Sequence, residues 1–158
     1  MKDIVEFKKE IKNLIMKHLT DKEHFEIEFR NSGFQHIGYP YFKLHLSTEL
    51  EADNKYGVII LNVEPVVEAG NLIFRSPILK KYEWADVYEK IKIIALHEAR
   101  HTHQFLYELD KANNDVYDAI QNMSKKAGSE RDYYELEADR YALHFLKDHT
   151  VEFDNNIA

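Results

Sequence analysis

The sequence predicts an α+β fold: one domain, spanning residues 1–158, in which a mostly antiparallel sheet packs against a long motif-bearing helix and further C-terminal helices. Three observations carry that expectation. Helical periodicity over residues 4–19 gives way to short alternating or continuous apolar stretches between 24 and 63, and helical patterns return from about residue 85 to 147. Two of the late patterns carry clustered histidines and acids, His97-Glu98-Ala99-Arg100-His101 and Glu135-Leu136-Glu137-Ala138-Asp139. With 158 residues, 44% of them hydrophobic, the chain has enough apolar material for one sizeable core.

Each element follows from its local pattern. Ile4, Phe7, Ile11, Leu14, Ile15 and Leu19 recur at helical spacing among lysines and glutamates, as on a helix docked on a core. Residues 24–30 alternate apolar and charged side chains up to Asn31-Ser32-Gly33, and Phe42, Leu44 and Leu46 repeat the alternation. These two stretches are expected to pair as antiparallel strands across a loop containing Gly38 and Pro40. Residues 52–55 read as a turn before a more buried strand over 56–63, which Pro65 is expected to end. Leu72-Ile73-Phe74 fits either a further strand or an irregular connection, and Ser76-Pro77 breaks the chain before a helix over 85–108. Asn113-Asn114-Asp115 supplies capping groups for a helix to about Lys126, which Gly128 stops. Ser129 is the candidate N-cap of a last helix over 130–147, and residues 154–158 are expected to fray.

Composition narrows the function. A net charge of −7 gives no general attraction to phosphate backbones, so no nucleic-acid partner is expected. The chain contains no cysteine, which leaves histidine and carboxylate as the common zinc ligands and excludes a thiol nucleophile. No continuous apolar run suits a signal peptide or membrane span, so no membrane partner and a cytoplasmic location are expected.

His97 and His101 are the chemically informative pair. On a helix, side chains at i and i+4 lie roughly 6 Å apart, so two ring nitrogens can meet at one zinc ion with bonds of about 2.0–2.1 Å. Glu98 sits about 100° around the helix, where it reaches a water beside the metal instead of the metal itself. Zinc needs a third protein ligand, for which Glu135, Glu137 and Asp139 are the nearby acids of the second pattern. Glu135, Ala138, Asp139, Ala142 and Leu146 share one helical face, whose alanines allow close helix approach. On that face Glu135 can offer an oxygen ligand and Asp139 can hydrogen-bond a ligand histidine.

At these residues the chain resembles the gluzincin metallopeptidases, whose pattern is HExxH on one helix and ExxxD on a following one. The run Glu-Leu-Glu-Ala-Asp-Arg-Tyr-Ala from Glu135 is similar to that of small bacterial gluzincin-like proteins. The likeness covers residues 91–146, about a third of the chain. It implies a zincin-like fold, one Zn2+ per chain held by His97, His101 and Glu135, Glu98 as general base and Asp139 as partner of His97. The metzincin pattern fails, because Gln104 and Tyr107 stand where it needs Gly and His.

The resemblance implies hydrolysis of a peptide or protein substrate, with Glu98 taking the proton of a metal-bound water. An edge strand beside the cleft would pair with the substrate backbone, a role the expectation gives to a strand within 56–74. Tyr133, Tyr134, Tyr141, His144 and His103 are candidate donors to the developing oxyanion. As packing and surface residues, the same tyrosines read as wet-tipped aromatics and His103, His144 and His149 as surface histidines. Arg100 and Arg140 are expected to pair with neighbouring acids. The alternative reading is a noncatalytic, metal-stabilised binding or regulatory domain; a helical interaction protein with incidental histidines is a third.

Overall fold

In a computed structural model of the chain, which describes residues 3–31, 42–74, 76–125 and 129–146, helices and a three-stranded mixed sheet share one apolar core. The fold is α+β. Helix α1 (Ile4–His18) starts at Asp3, whose carboxylate accepts the Val5 N–H at 2.8 Å, and it buries Phe7, Ile11 and Ile15 as the periodicity demands.

Strands β1 (Phe25–Phe29), β2 (Phe42–Leu46) and β3 (Gly57–Leu61) lie in the order β1-β3-β2. The expected pairing of the first two strands is therefore corrected: β3 inserts between them, parallel to β1 and antiparallel to β2. The sheet has one ladder of each kind. Burial explains the order, because the continuous apolar run Val58-Ile59-Ile60-Leu61 suits the centre of the sheet, whereas β1 and β2 alternate and suit its margins. Gly57 lets the strands close up, since a Cβ there would stand 2.8 Å from the His45 carbonyl oxygen.

Between β3 and the long helix the chain departs from expectation. Pro65 sits in the first turn of a short helix, α2 (Val63–Ala69), where its missing N–H has no intrahelical partner to lose. Gly70, at φ 72°, ends that helix by donating its N–H to the Val66 and Val67 carbonyls. Residues 72–74 form no strand. They are pinned by side chains instead: buried Lys90 donates to the Leu72 carbonyl at 2.9 Å and to Glu83 at 2.7 Å, while Glu83 accepts the Phe74 N–H at 2.8 Å. The turn expected at 52–55 is the end of a 3-10 segment, Thr48–Asp53, closed by left-handed Asn54.

Helix α3 (Val87–Lys111) is capped by Asp86 and forms the centre of the molecule, packing on α1, α2, β2, β3, α4 (Val116–Lys125) and α5 (Ser129–Leu146). It buries Ile91, Ile93, Leu96 and Phe105 completely; each such side chain stabilises the fold by about 1.5–3 kcal/mol. Asn113 and Asn114 take positive φ to reverse the chain, and Asp115 caps α4 through the Asp118 N–H. Ala138 and Ala142 of α5 are fully buried, as close helix approach requires. The expectations for Gly38, Pro40, Gly128, His149, residues 154–158 and the Ser129 side chain lie outside what is described. Among the described residues no helix is long and apolar enough to cross a membrane.

Candidate metal centre

Helix α3 carries His97, Glu98 and His101 in the middle of its length, where the apolar turns on either side hold the backbone still. Helix α5 crosses it with Glu135 and Asp139 facing the histidines. The Nε2 atoms of His97 and His101 are 3.0 Å apart, and Glu135 places its carboxylate oxygens 3.0 Å from the first and 3.2 Å from the second. On the outer side of His97, Nδ1 lies 2.7 Å from Asp139 Oδ1.

These distances test the donor set for zinc. Four-coordinate zinc with bonds of about 2.0–2.1 Å sets neighbouring ligand atoms roughly 3.3 Å apart, and two imidazole nitrogens with a carboxylate oxygen are ligands it accepts. The residues present fit the ion. Glu98 lies within the same cluster, but its Oε2 is 3.7 Å from His97 Nε2 and its Oε1 accepts the Leu44 N–H at 2.7 Å. Glu135 is therefore the better-placed third ligand, and Glu98 stands to one side.

The electrostatics favour bound positive charge. Burial works against a charged His97, yet its bonds to Asp139 and Glu135 and the nearby Glu98 outweigh that penalty and hold its pKa well above the usual value. For His101, burial and the neighbouring His97 oppose the charge, while Glu135 and Glu98 outweigh them and raise the pKa. Burial pushes Glu135 up, but hydrogen bonds to His101 and His97 hold its carboxyl far below the ordinary carboxylate range. Its side chain remains 52% exposed, which opens the cluster to solvent on that side.

A cleft of about 430 Å³ runs past this opening, lined by β2 residues Phe42 and Leu46, by Met123 and Ser124 of α4, and by Glu98, His101 and Glu135. The strand beside it is β2, which corrects the expectation of one within 56–74: β3 is flanked by a strand on each side and residues 62–74 form none. Ser47 N–H bonds the Tyr56 carbonyl, so by alternation Lys43 and His45 turn their backbone groups to β3. Phe42, Leu44 and Leu46 turn theirs away from it.

The five candidate oxyanion donors do not line the cleft. Tyr134 donates its hydroxyl to Glu108, and Tyr141 bonds His18 Nδ1 at 2.7 Å. His103, expected at the surface, is half-buried, with Nε2 donating to the His18 carbonyl at 2.6 Å and Nδ1 3.0 Å from Arg100 Nη1. Tyr133 leans on Tyr134, and His144 on Phe145. Arg100 does pair with an acid, donating Nε to both oxygens of Glu137 at 2.9 and 3.0 Å. Sequence reasoning missed two neighbours of the site: Leu44, whose N–H holds Glu98, and Gln104, whose Oε1 lies 2.6 Å from His101 Nδ1. Gln104 had a local signal, standing three residues past His101 on the same helical face. Leu44 had none, because a backbone donor carries no sequence signature. No protein-family model, curated protein or solved structure matches the chain.

Proposed function

We propose that this protein is a zinc-dependent peptidase of gluzincin type, with His97, His101 and Glu135 as the residues that hold the metal. The observation that supports the reading is the convergence of two ring nitrogens and a carboxylate within 3.0–3.2 Å, with a second carboxylate beside them. Zinc bound there supplies Lewis acidity, which polarises a carbonyl and makes a water more acidic. Glu98 takes the proton of the attacking water and hands it to the leaving amine nitrogen, so one carboxylate serves as base and then acid. Asp139 keeps His97 oriented and more basic. An extended peptide lies along β2, whose outward backbone groups at Phe42 and Leu46 and the Leu44 carbonyl read main chain irrespective of sequence, the Leu44 N–H being held by Glu98.

The test compares Glu98→Gln with Glu135→Ala. The reading expects Glu98→Gln to keep about one zinc per chain while peptide hydrolysis falls by roughly 10²–10⁴, and Glu135→Ala to lose zinc. Folded, zinc-loaded protein that cleaves nothing in a diverse peptide library would sink it in favour of the metal-stabilised binding domain.

A further inference from the structure

His101 meets the protein through Gln104, and the surroundings of that amide leave it a single orientation. Gln104 Nε2 lies 2.9 Å from the Tyr134 carbonyl oxygen and 2.8 Å from Glu137 Oε1. Both partners accept hydrogen bonds, so the amide NH2 must face them and Oε1 must face His101. An amide oxygen also only accepts, and the 2.6 Å contact therefore requires a proton on His101 Nδ1. Glu137 is itself fixed by Arg100, and Arg100, Gln104 and Glu137 are 1%, 0% and 7% exposed, which leaves little room for water to replace any of these bonds.

We infer that Gln104 is the positioning residue of His101: its amide oxygen, keyed by Glu137 and the Tyr134 carbonyl, holds the ring protonated on Nδ1 with Nε2 directed at Glu135, and thereby sets zinc affinity. The inference rests on the zinc reading of the site. It also explains why His97 is held by a carboxylate and His101 by an amide. A carboxylate in place of Gln104 would stand beside Glu137 with no donor between them, two like charges buried together. The neutral amide supplies the acceptor that His101 needs and the donors that Glu137 and Tyr134 need.

The experiment measures Zn2+ affinity of the full chain by chelator competition, together with imidazole 15N–1H correlation spectra, for the unmutated protein and Gln104→Met. The inference expects a roughly 10–100-fold loss of zinc affinity in the variant, with the protected Nδ1 proton of His101 lost and that of His97 kept. A folded Gln104→Met that binds zinc within about twofold of the unmutated protein overturns it, even if its melting temperature falls, because a structural role alone lowers stability without moving affinity. Should the variant not fold, the unmutated protein decides: a slowly exchanging His101 Nδ1 proton supports the inference, and a neutral His101 protonated on Nε2 overturns it. If the unmutated protein takes up no zinc, the peptidase reading fails by itself, and the His101 Nδ1 proton, read in the metal-free protein, still reports on the Gln104 bond in the same two ways.

Discussion

His97 and Asp139 join the two site helices through an Nδ1–Oδ1 contact of 2.7 Å, with Asp139 only 2% exposed. Asp139→Ala removes the acceptor and leaves the ring free to turn, so zinc affinity is expected to fall by about 10–100-fold, read by chelator competition; unchanged affinity would rule out this role. His18 offers a pH effect outside the cluster of His97, His101 and Glu135. Burial, and next the charge of Lys17, lower its pKa below the ordinary 6.5, so the folded state favours the neutral ring. Its contribution is therefore present above about pH 6.5 and is lost as pH falls through that value towards the lower folded one. In paired denaturant titrations between pH 7.5 and 5, roughly the span of histidine titration, the unmutated protein should lose more stability on acidification than His18→Gln. Parallel curves would remove His18 as the source.

The elements that matter most for the site are β2 and its contact with β3. A methyl group at position 57 would meet the His45 carbonyl oxygen at 2.8 Å, and backbone cannot yield as a side-chain tip can. Gly57→Ala is expected to cost about 1–3 kcal/mol, a drop of roughly 2–4 °C in Tm per kcal/mol for a chain of this size. Thermal melts with no such drop would show that the two strands separate without penalty. The same displacement would shift Leu44, whose N–H holds Glu98, so the proposed hydrolysis should suffer along with stability. Helix α2 shows why periodicity and propensity mislead for some elements. Val63, Val66 and Val67 look like a continuing strand, and the β-branched run masks the two helical signals, Pro65 near the start and Gly70 at the end.

For the whole molecule, the proposed zinc would be a ligand of the folded state, because its proposed ligands come from two helices, α3 and α5, that meet only when the core forms. Free zinc at about 100 times its Kd should raise stability by about 2.7 kcal/mol, and Tm by roughly 5–10 °C, with chelator reversing the change. A Tm indifferent to zinc would contradict a site that assembles on folding. The chain of polar contacts from His101 through Gln104, Glu137, Arg100 and His103 to the His18 carbonyl ties α1, α3 and α5 together around that site.

Local spacing is legible in the amino-acid sequence alone. His97 and His101 share a helical face because i and i+4 always do, and Glu135 and Asp139 share another for the same reason, so the candidate residues and the α+β class follow from periodicity and motif. Sheet order is not legible, since alternation along β1 and β2 tells which face a residue takes and nothing about which strand lies beside it. For the same reason only the tertiary structure decided that β2 borders the cleft and that Gln104 answers His101. Those facts depend on how two helices cross and how a strand inserts, geometry set by packing between residues distant in the chain, whereas the motifs depend only on the fixed rise and turn of a single helix.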